Sequence, residues 1–228
     1  MNMNAVCMNS RLIIYEEVFM KSISKIVKRL LLLFGIFVLE QIATIPSFFA
    51  ADEAKTMTGV LIGVGLTVLL SALFIHYSWP KQLWPSLKNI DWKAVGVAFL
   101  IILAFQVLFG VLADLWHIPT NENQKLVMDE LRKTYYLAAV IDIVMAPIME
   151  EIIFRFKFFE YFGEFMSKWV GIIVNGILFM VIHSTDLNVV TLVYFVIGAV
   201  LAYVYRRRNN LGDSIAVHML NNAYAILL

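Results

Sequence analysis

Cysteine is nearly missing from this sequence: Cys7 stands alone in 228 residues. That excludes an intrachain disulfide framework and any CxxC metal or redox motif. Charge is scarce too. Asp, Glu, Lys and Arg make up 15% of the chain and the net charge is +1, whereas a soluble domain carries about a quarter charged residues. So even a balance gives no electrostatic footprint for nucleic acid or another polyanionic partner. Long internal repeats, low-complexity tracts and Gly/Ser linkers are also lacking, which favours one compact unit.

What the chain has is apolar surface. Apolar residues account for 61% of it, and the mean hydropathy is +0.80. A core of this size cannot hide so much, so lipid must be part of the solvent. Backbone groups in lipid have to be satisfied within the spanning segment, which makes the spans helical. The expected class is all-α, a polytopic transmembrane helix bundle in the cell membrane. A span needs roughly 20 apolar residues, and the candidates are 30–50, 57–78, 94–116, 136–158, 169–185, 189–205 and 213–228. That is about seven spans, with the last four forming a C-terminal core. Residues 1–29 read as a cytoplasmic segment, 30–134 as N-terminal transmembrane helices and 135–228 as the core. Met20 opens a basic-then-apolar stretch and is a second candidate start; no small-residue cleavage site follows promptly, so the stretch reads as a retained span rather than a signal peptide.

Lys and Arg set the orientation. Lys21, Lys25, Lys28 and Arg29 precede the first span, Lys81, Lys88 and Lys93 fill the second connection, and Arg206, Arg207 and Arg208 the sixth. All fall on one side, which the positive-inside bias makes cytoplasmic, together with the N-terminus. The connections around ADEAKT and STDLN are poor in positive charge. The third connection, PTNENQKLVMDELRKT, is mixed in charge and is expected to form a short amphipathic helix at the interface. All five tryptophans lie at or between span ends, as an interfacial belt requires.

Three segments break the apolar pattern inside spans. In Ala146 to Arg155, two adjacent carboxylates sit in an apolar helix at a cost of about 3 kcal/mol each. Glu151 and Arg155 are one turn apart and can pair. Glu150 points about 100° away and is left for another task. Pro147 removes a backbone donor just before the pair and is expected to kink the helix. In the second segment, Phe179 precedes His183 by one turn and can pack beside its ring. In the third, His218 and Asn222 project together, and both can donate hydrogen bonds to a developing oxyanion. Asp213 or Ser214 reads as the N-cap of that helix. Each segment also has a purely structural reading: a buried ion pair, an interfacial histidine, and interhelical hydrogen bonding by His and Asn. The ion pair accounts for Glu151 and Arg155 but not for the second acid beside them.

The strings EExxxR (Glu150, Glu151, Arg155), FxxxH (Phe179, His183) and HxxxN (His218, Asn222), in that order, resemble the CAAX-protease and bacteriocin-processing family of intramembrane peptidases, also called Abi or CPBP. The resemblance covers roughly residues 135–226. It implies an endopeptidase in which Glu150 and His183 position and deprotonate the attacking water. His218 and Asn222 would stabilise the tetrahedral oxyanion, with Glu151, Arg155 and Phe179 in support. The implied partners are membrane lipid and a peptide or protein substrate. The implied roles are peptide or bacteriocin maturation, self-immunity, or CAAX-type processing of prenylated proteins. The family is often named for metalloproteases, and Glu150, His183 and His218 could ligate zinc. There is no HExxH, however, and a Glu/His-activated water needs no metal, so a metal-free site is the preferred expectation. The competing class is a non-enzymatic membrane protein, an immunity factor acting by binding or a proton-coupled transporter. Glu40 in the first span is a buried acid the three motifs leave unexplained. The assigned spans also set Glu150 near mid-membrane, His183 towards the outer end and His218 towards the cytoplasmic end, so a shared site requires displaced or tilted helices.

Overall fold

The computed structural model describes residues 23–46, 57–78, 80–81, 83–118, 122–134, 136–184 and 191–227. The candidate start at Met20, the ADEAKT connection, Trp79 and most of STDLN lie outside the described residues. Nine helices and no strand occur among the described residues: α1 (23–46), α2 (Met57–Ser78), α3 (Leu83–Lys88), α4 (Trp92–Leu115), α5 (Glu122–Lys133), α6 (141–162), α7 (Lys168–His183), α8 (Thr191–Arg208) and α9 (Leu211–Leu227). The third connection does carry a helix, α5. The 136–158 candidate becomes a helix that runs on to residue 162.

Two of these helices, α2 and α4, are long and apolar enough to cross a membrane by length and composition, and α7 is a shorter apolar helix. Their surfaces are inverted relative to a soluble helix. On α2, Val60, Gly63, Thr67 and Ser71 face inward at helical spacing, while Leu61, Ile62, Leu66 and Leu69 are exposed. On α4 the exposed side includes Val97, Leu100, Val107, Leu108 and Val111. A soluble monomer rarely leaves patches of this extent uncovered, whereas lipid removes the penalty. Small residues on the inner face let helices approach closely. Trp92 opens α4, Trp116 follows it and Trp169 lies at the start of α7, all three exposed as an interfacial belt requires.

A polar clasp fastens the α3–α4 corner to the α8–α9 turn. Asp91 caps α4, accepting from the Ala94 N–H at 3.1 Å. Its own N–H donates to Asp213 Oδ1 at 2.8 Å, and Arg207 donates to its carboxylate at 2.5 Å. Asn89 C=O accepts from both Arg208 and Asn210 at 2.9 Å. The expected cap of α9 is corrected here. Asn210, not Asp213 or Ser214, precedes the helix, and its Oδ1 accepts from the Asp213 N–H at 3.2 Å. Asp213 is drawn into the first turn because its carboxylate has a tertiary donor in Asp91. The Arg207 hydrogen bond holds the Asp91 carboxyl below the usual carboxylate range.

Helices α7 and α8 pack through glycines. A Cβ on Gly198 would lie 2.6 Å from Phe179 Cβ and 3.1 Å from Gly176 Cα, so only hydrogen fits there, and the contact fixes Phe179.

Two outcomes are expected. Gly198→Ala should destabilise the protein by about 1–3 kcal/mol through overpacking, read as a lower thermal midpoint in detergent, while Gly96→Ala, which meets open space, should not. The Asp91 clasp should fail in acid. Its folded carboxyl titrates below its unfolded value of about 3.9, so its stabilisation is fully present above that pH and disappears as pH falls through the folded value. Stability of Asp91→Asn and the parent should therefore differ at neutral pH and converge in acid.

Candidate active site

The site is built on α6, which is not a regular α-helix. Residues Ile141–Met145 and Ile152–Lys157 are π-helical, separated by the α-helical Ala146–Glu151. The kink expected at Pro147 is thus replaced by a wider turn just before it. The Ala146 N–H reaches back five residues to Ile141 C=O, so Asp142 C=O loses its ordinary donor. The residue five ahead of Asp142 is Pro147, which has no N–H. That carbonyl is satisfied from outside the helix, by Asn222 Nδ2 at 2.8 Å. In the second π segment the Phe158 N–H bonds to Ile153 C=O, and Asn175 of α7 donates to Phe154 C=O at 2.5 Å. Each wide turn therefore exposes a carbonyl that a neighbouring helix claims.

The short α-helical piece between them carries Glu150 and Glu151 on different faces. Glu151 points into the protein and is fully buried with Arg155. Its Oε2 lies 3.2 Å from Arg155 Nε, and its Oε1 accepts from His218 Nδ1 at 2.9 Å. Arg155 also donates to Gly198 C=O at 3.4 Å and lies over the Phe179 ring at 5.1 Å. Glu151 therefore does more than neutralise Arg155, because it fixes the ring of His218. Sequence spacing could give the one-turn pair but not this contact between helices.

Glu150 points the other way. Its Oε2 is buried with no hydrogen-bond partner, 3.7 Å from His183 Nε2 and 3.8 Å from His218 Nε2. The sequence-derived spans set these three residues at different depths, yet their side chains meet. His183 is the last residue of α7, and α9 begins at Leu211, so His218 is two turns inside it. His183 Nδ1 donates to Phe179 C=O at 2.8 Å; a carbonyl only accepts, so Nε2 carries the lone pair. The imidazole is stacked by Phe179 at 4.1 Å and by Tyr194 of α8 at 5.2 Å, with interplanar angles of 24° and 23°.

Glu150, His183, His218 and Asn222 line one cavity of about 690 Å³. Glu40 of α1 reaches the same cavity, as do Gln106 of α4 and Asp142. Sequence reasoning missed Tyr194, Gln106 and Asn221. An amide within the apolar α4 and a second amide beside Asn222 were signals for the last two; Tyr194 had none. As for zinc, no group of three or more His, Cys, Asp and Glu among the described residues is placed to hold a metal ion.

Glu151 and Arg155 should be strongly coupled in stability. Removing either alone leaves an uncompensated buried charge and should cost about 3–5 kcal/mol. Glu151→Gln combined with Arg155→Met should cost less than the sum of the single changes, as judged by chemical or thermal unfolding in detergent.

The chain is similar in sequence to known proteins. Residues 132–224 match the model of the family described as type II CAAX prenyl endopeptidase Rce1-like. The UPF0177 protein YajF of Lactococcus lactis is 21% identical over 72% of this chain and 80% of its own length. The "Putative membrane peptidase YdiL" of Bacillus subtilis is 24% identical over 72% of this chain and 68% of its own. YaiH, another UPF0177 protein of Lactococcus lactis, is 39% identical over 35% of this chain and 32% of its own length. No solved structure matches. The three ordered motifs all fall within the matched stretch, and over that stretch the chain is similar to the type II CAAX prenyl endopeptidase family.

Proposed function

We propose that this protein is an intramembrane endopeptidase that hydrolyses a peptide bond by direct attack of water. One observation carries the reading. A buried carboxylate oxygen without a partner faces the Nε2 atoms of two histidines across a cavity. A structural network would close those gaps, whereas a hydrolytic site keeps them for water and substrate. The 3.7 Å separation of Glu150 from His183 is too long for a direct hydrogen bond. A water lying off the line between them can donate to both.

The partners of the two histidines separate their roles. His183, held on a backbone carbonyl, offers a lone pair at Nε2 and serves with Glu150 as the base. His218, held on the Glu151 carboxylate, can carry a second proton whose charge Glu151 balances, and then donates from Nε2. Water oxygen bonds to the scissile carbonyl carbon while its proton passes to the Glu150–His183 pair. The carbonyl electron pair becomes an oxyanion that accepts from His218 and Asn222. Collapse breaks the C–N bond, and the held proton goes to the departing amine. No Ser or Cys in the motifs faces this chemistry, so no acyl-enzyme is needed.

In this reading the chain is multi-pass with its N-terminus cytoplasmic, and the helices form a bundle of about seven spans. The substrate is a peptide or protein at the membrane. Peptide or bacteriocin maturation and self-immunity are ranked ahead of CAAX-type processing, which needs a host that prenylates proteins. The name of the Bacillus subtilis relative and the CAAX-endopeptidase description of the matching family support the enzyme class.

Glu150→Ala and His183→Ala should each abolish cleavage of a membrane-presented peptide library in proteoliposomes without lowering membrane abundance. Activity should survive exhaustive chelation. Cleavage retained in both variants would favour the alternative, a binding-only immunity factor or a proton-coupled transporter. Loss of activity on chelation, restored by zinc, would overturn the metal-free mechanism.

A further inference from the structure

Asn222 ends a line of side-chain amides that crosses from α9 to α4. Gln106 Nε2 donates to Asn221 Oδ1 at 3.0 Å. Asn221 Nδ2 donates to Asn222 Oδ1 at 3.3 Å, and Asn222 Nδ2 donates to Asp142 C=O at 2.8 Å. All four residues border the cavity that holds Glu150.

An amide turned end for end keeps its shape but exchanges donor for acceptor. A lone asparagine in a cavity wall could therefore present oxygen as easily as nitrogen, and an oxygen there would repel an oxyanion. This line has only one polarity. Asp142 C=O can only accept, so Asn222 must turn its NH₂ towards it. The Asn222 oxygen then faces Asn221, which answers with its own NH₂, and the Asn221 oxygen in turn requires the NH₂ of Gln106. The fixed point exists because the π-helical turn sends the Ala146 N–H to Ile141 and because Pro147 has none to offer.

We infer that Gln106 and Asn221 are positioning residues that act through Asn222: Asp142 C=O sets which end of its amide donates, and the bond from Asn221 to its oxygen holds the amide plane in the place that oxyanion stabilisation needs. The inference rests on the proposed oxyanion role of Asn222. Three amides in apolar surroundings are expensive unless they are hydrogen-bonded, and here they satisfy one another along the line. At its far end Gln106 Oε1 is buried without a partner.

The test uses a fluorogenic peptide cleaved by the full-length protein in proteoliposomes, with Glu150→Ala assayed beside it. Asn222→Ala should lower kcat by about 10²–10³. Gln106→Met, close in shape but without an amide, should lower kcat by about tenfold to a hundredfold with KM unchanged. Asn221→Asp keeps its size and its bond from Gln106 but cannot donate to Asn222, and should do the same. Combining Gln106→Met with Asn222→Ala should be no worse than Asn222→Ala alone, because the relay has nothing left to orient. An unchanged kcat in Gln106→Met, or a penalty that adds in full to Asn222→Ala, would overturn the inference. Full activity in Asn222→Ala beside an inactive Glu150→Ala would overturn the relay and leave the water-activating pair standing. Cleavage by Glu150→Ala would instead sink the peptidase reading beneath it.

Discussion

A carboxylate sealed from water cannot remain ionised unless cations and donors replace its hydration, and Glu151 meets that condition from two directions. Arg155 supplies a charge one turn along the same helix, and His218 supplies an N–H from a helix 67 residues away in sequence. Arg155 in turn lies over Phe179 and reaches Gly198 C=O. One buried charge therefore ties α6 to α9, and through the guanidinium to α7 and α8. Buried pairs of this kind contribute little net stability compared with apolar packing. Their value lies in specificity, since a group that cannot be left unpaired admits only one arrangement of the helices around it. Glu151 spends its charge on that arrangement, which leaves its neighbour Glu150 unsatisfied and aimed at the cavity.

The backbone of α6 extends the same logic. Two π-helical turns within one helix give up good backbone geometry, and each releases a carbonyl to a side-chain amide of another helix. π-Helical turns concentrate at functional sites because the extra residue re-aims the side chains that follow. Here the piece between the two turns is the one that bears both glutamates. In lipid an unclaimed carbonyl costs several kcal/mol, so the amides of Asn222 and Asn175 are required by the same irregularity that sets the glutamates in place. Site geometry and helix packing are in this sense one constraint.

The sequence is legible where the physics is local. Helical class follows from apolar composition. The Glu151–Arg155 pair follows from a four-residue spacing and Phe179 beside His183 from the same rule, and both contacts are present. The amphipathic pattern of the third connection marks α5 correctly. What stays hidden depends on contacts between segments far apart in the chain. The bond from His218 to Glu151 has no signature in either motif, and neither does the stacking of Tyr194 on His183. The cap of α9 was misplaced because Asp213 has the local look of a cap residue, while its carboxylate is engaged by the backbone of Asp91. Hydropathy windows match α7 and α9 to within two residues, yet they set the three motifs at different depths because a window carries no information on how helices are offset or tilted against one another. His183 closes α7 and His218 lies two turns inside α9, and both reach Glu150.

The walls of the cavity show why the motifs alone do not describe the site. Glu150, His183, His218 and Asn222 come from α6, α7 and α9, within the stretch that matches the family. Glu40 from α1, Gln106 and Asp114 from α4 and Glu130 from α5 come from outside that match and border the same space. Chemistry at a peptide bond is the same for every peptide, so residues that act on it are held to fixed spacings. Recognition of what flanks that bond differs with each substrate and falls to whichever helices complete the wall. The acid in the first helix that the motifs could not explain, Glu40, is part of that wall. A motif here names part of the wall and leaves the rest unnamed, because helices from the other half of the chain complete it.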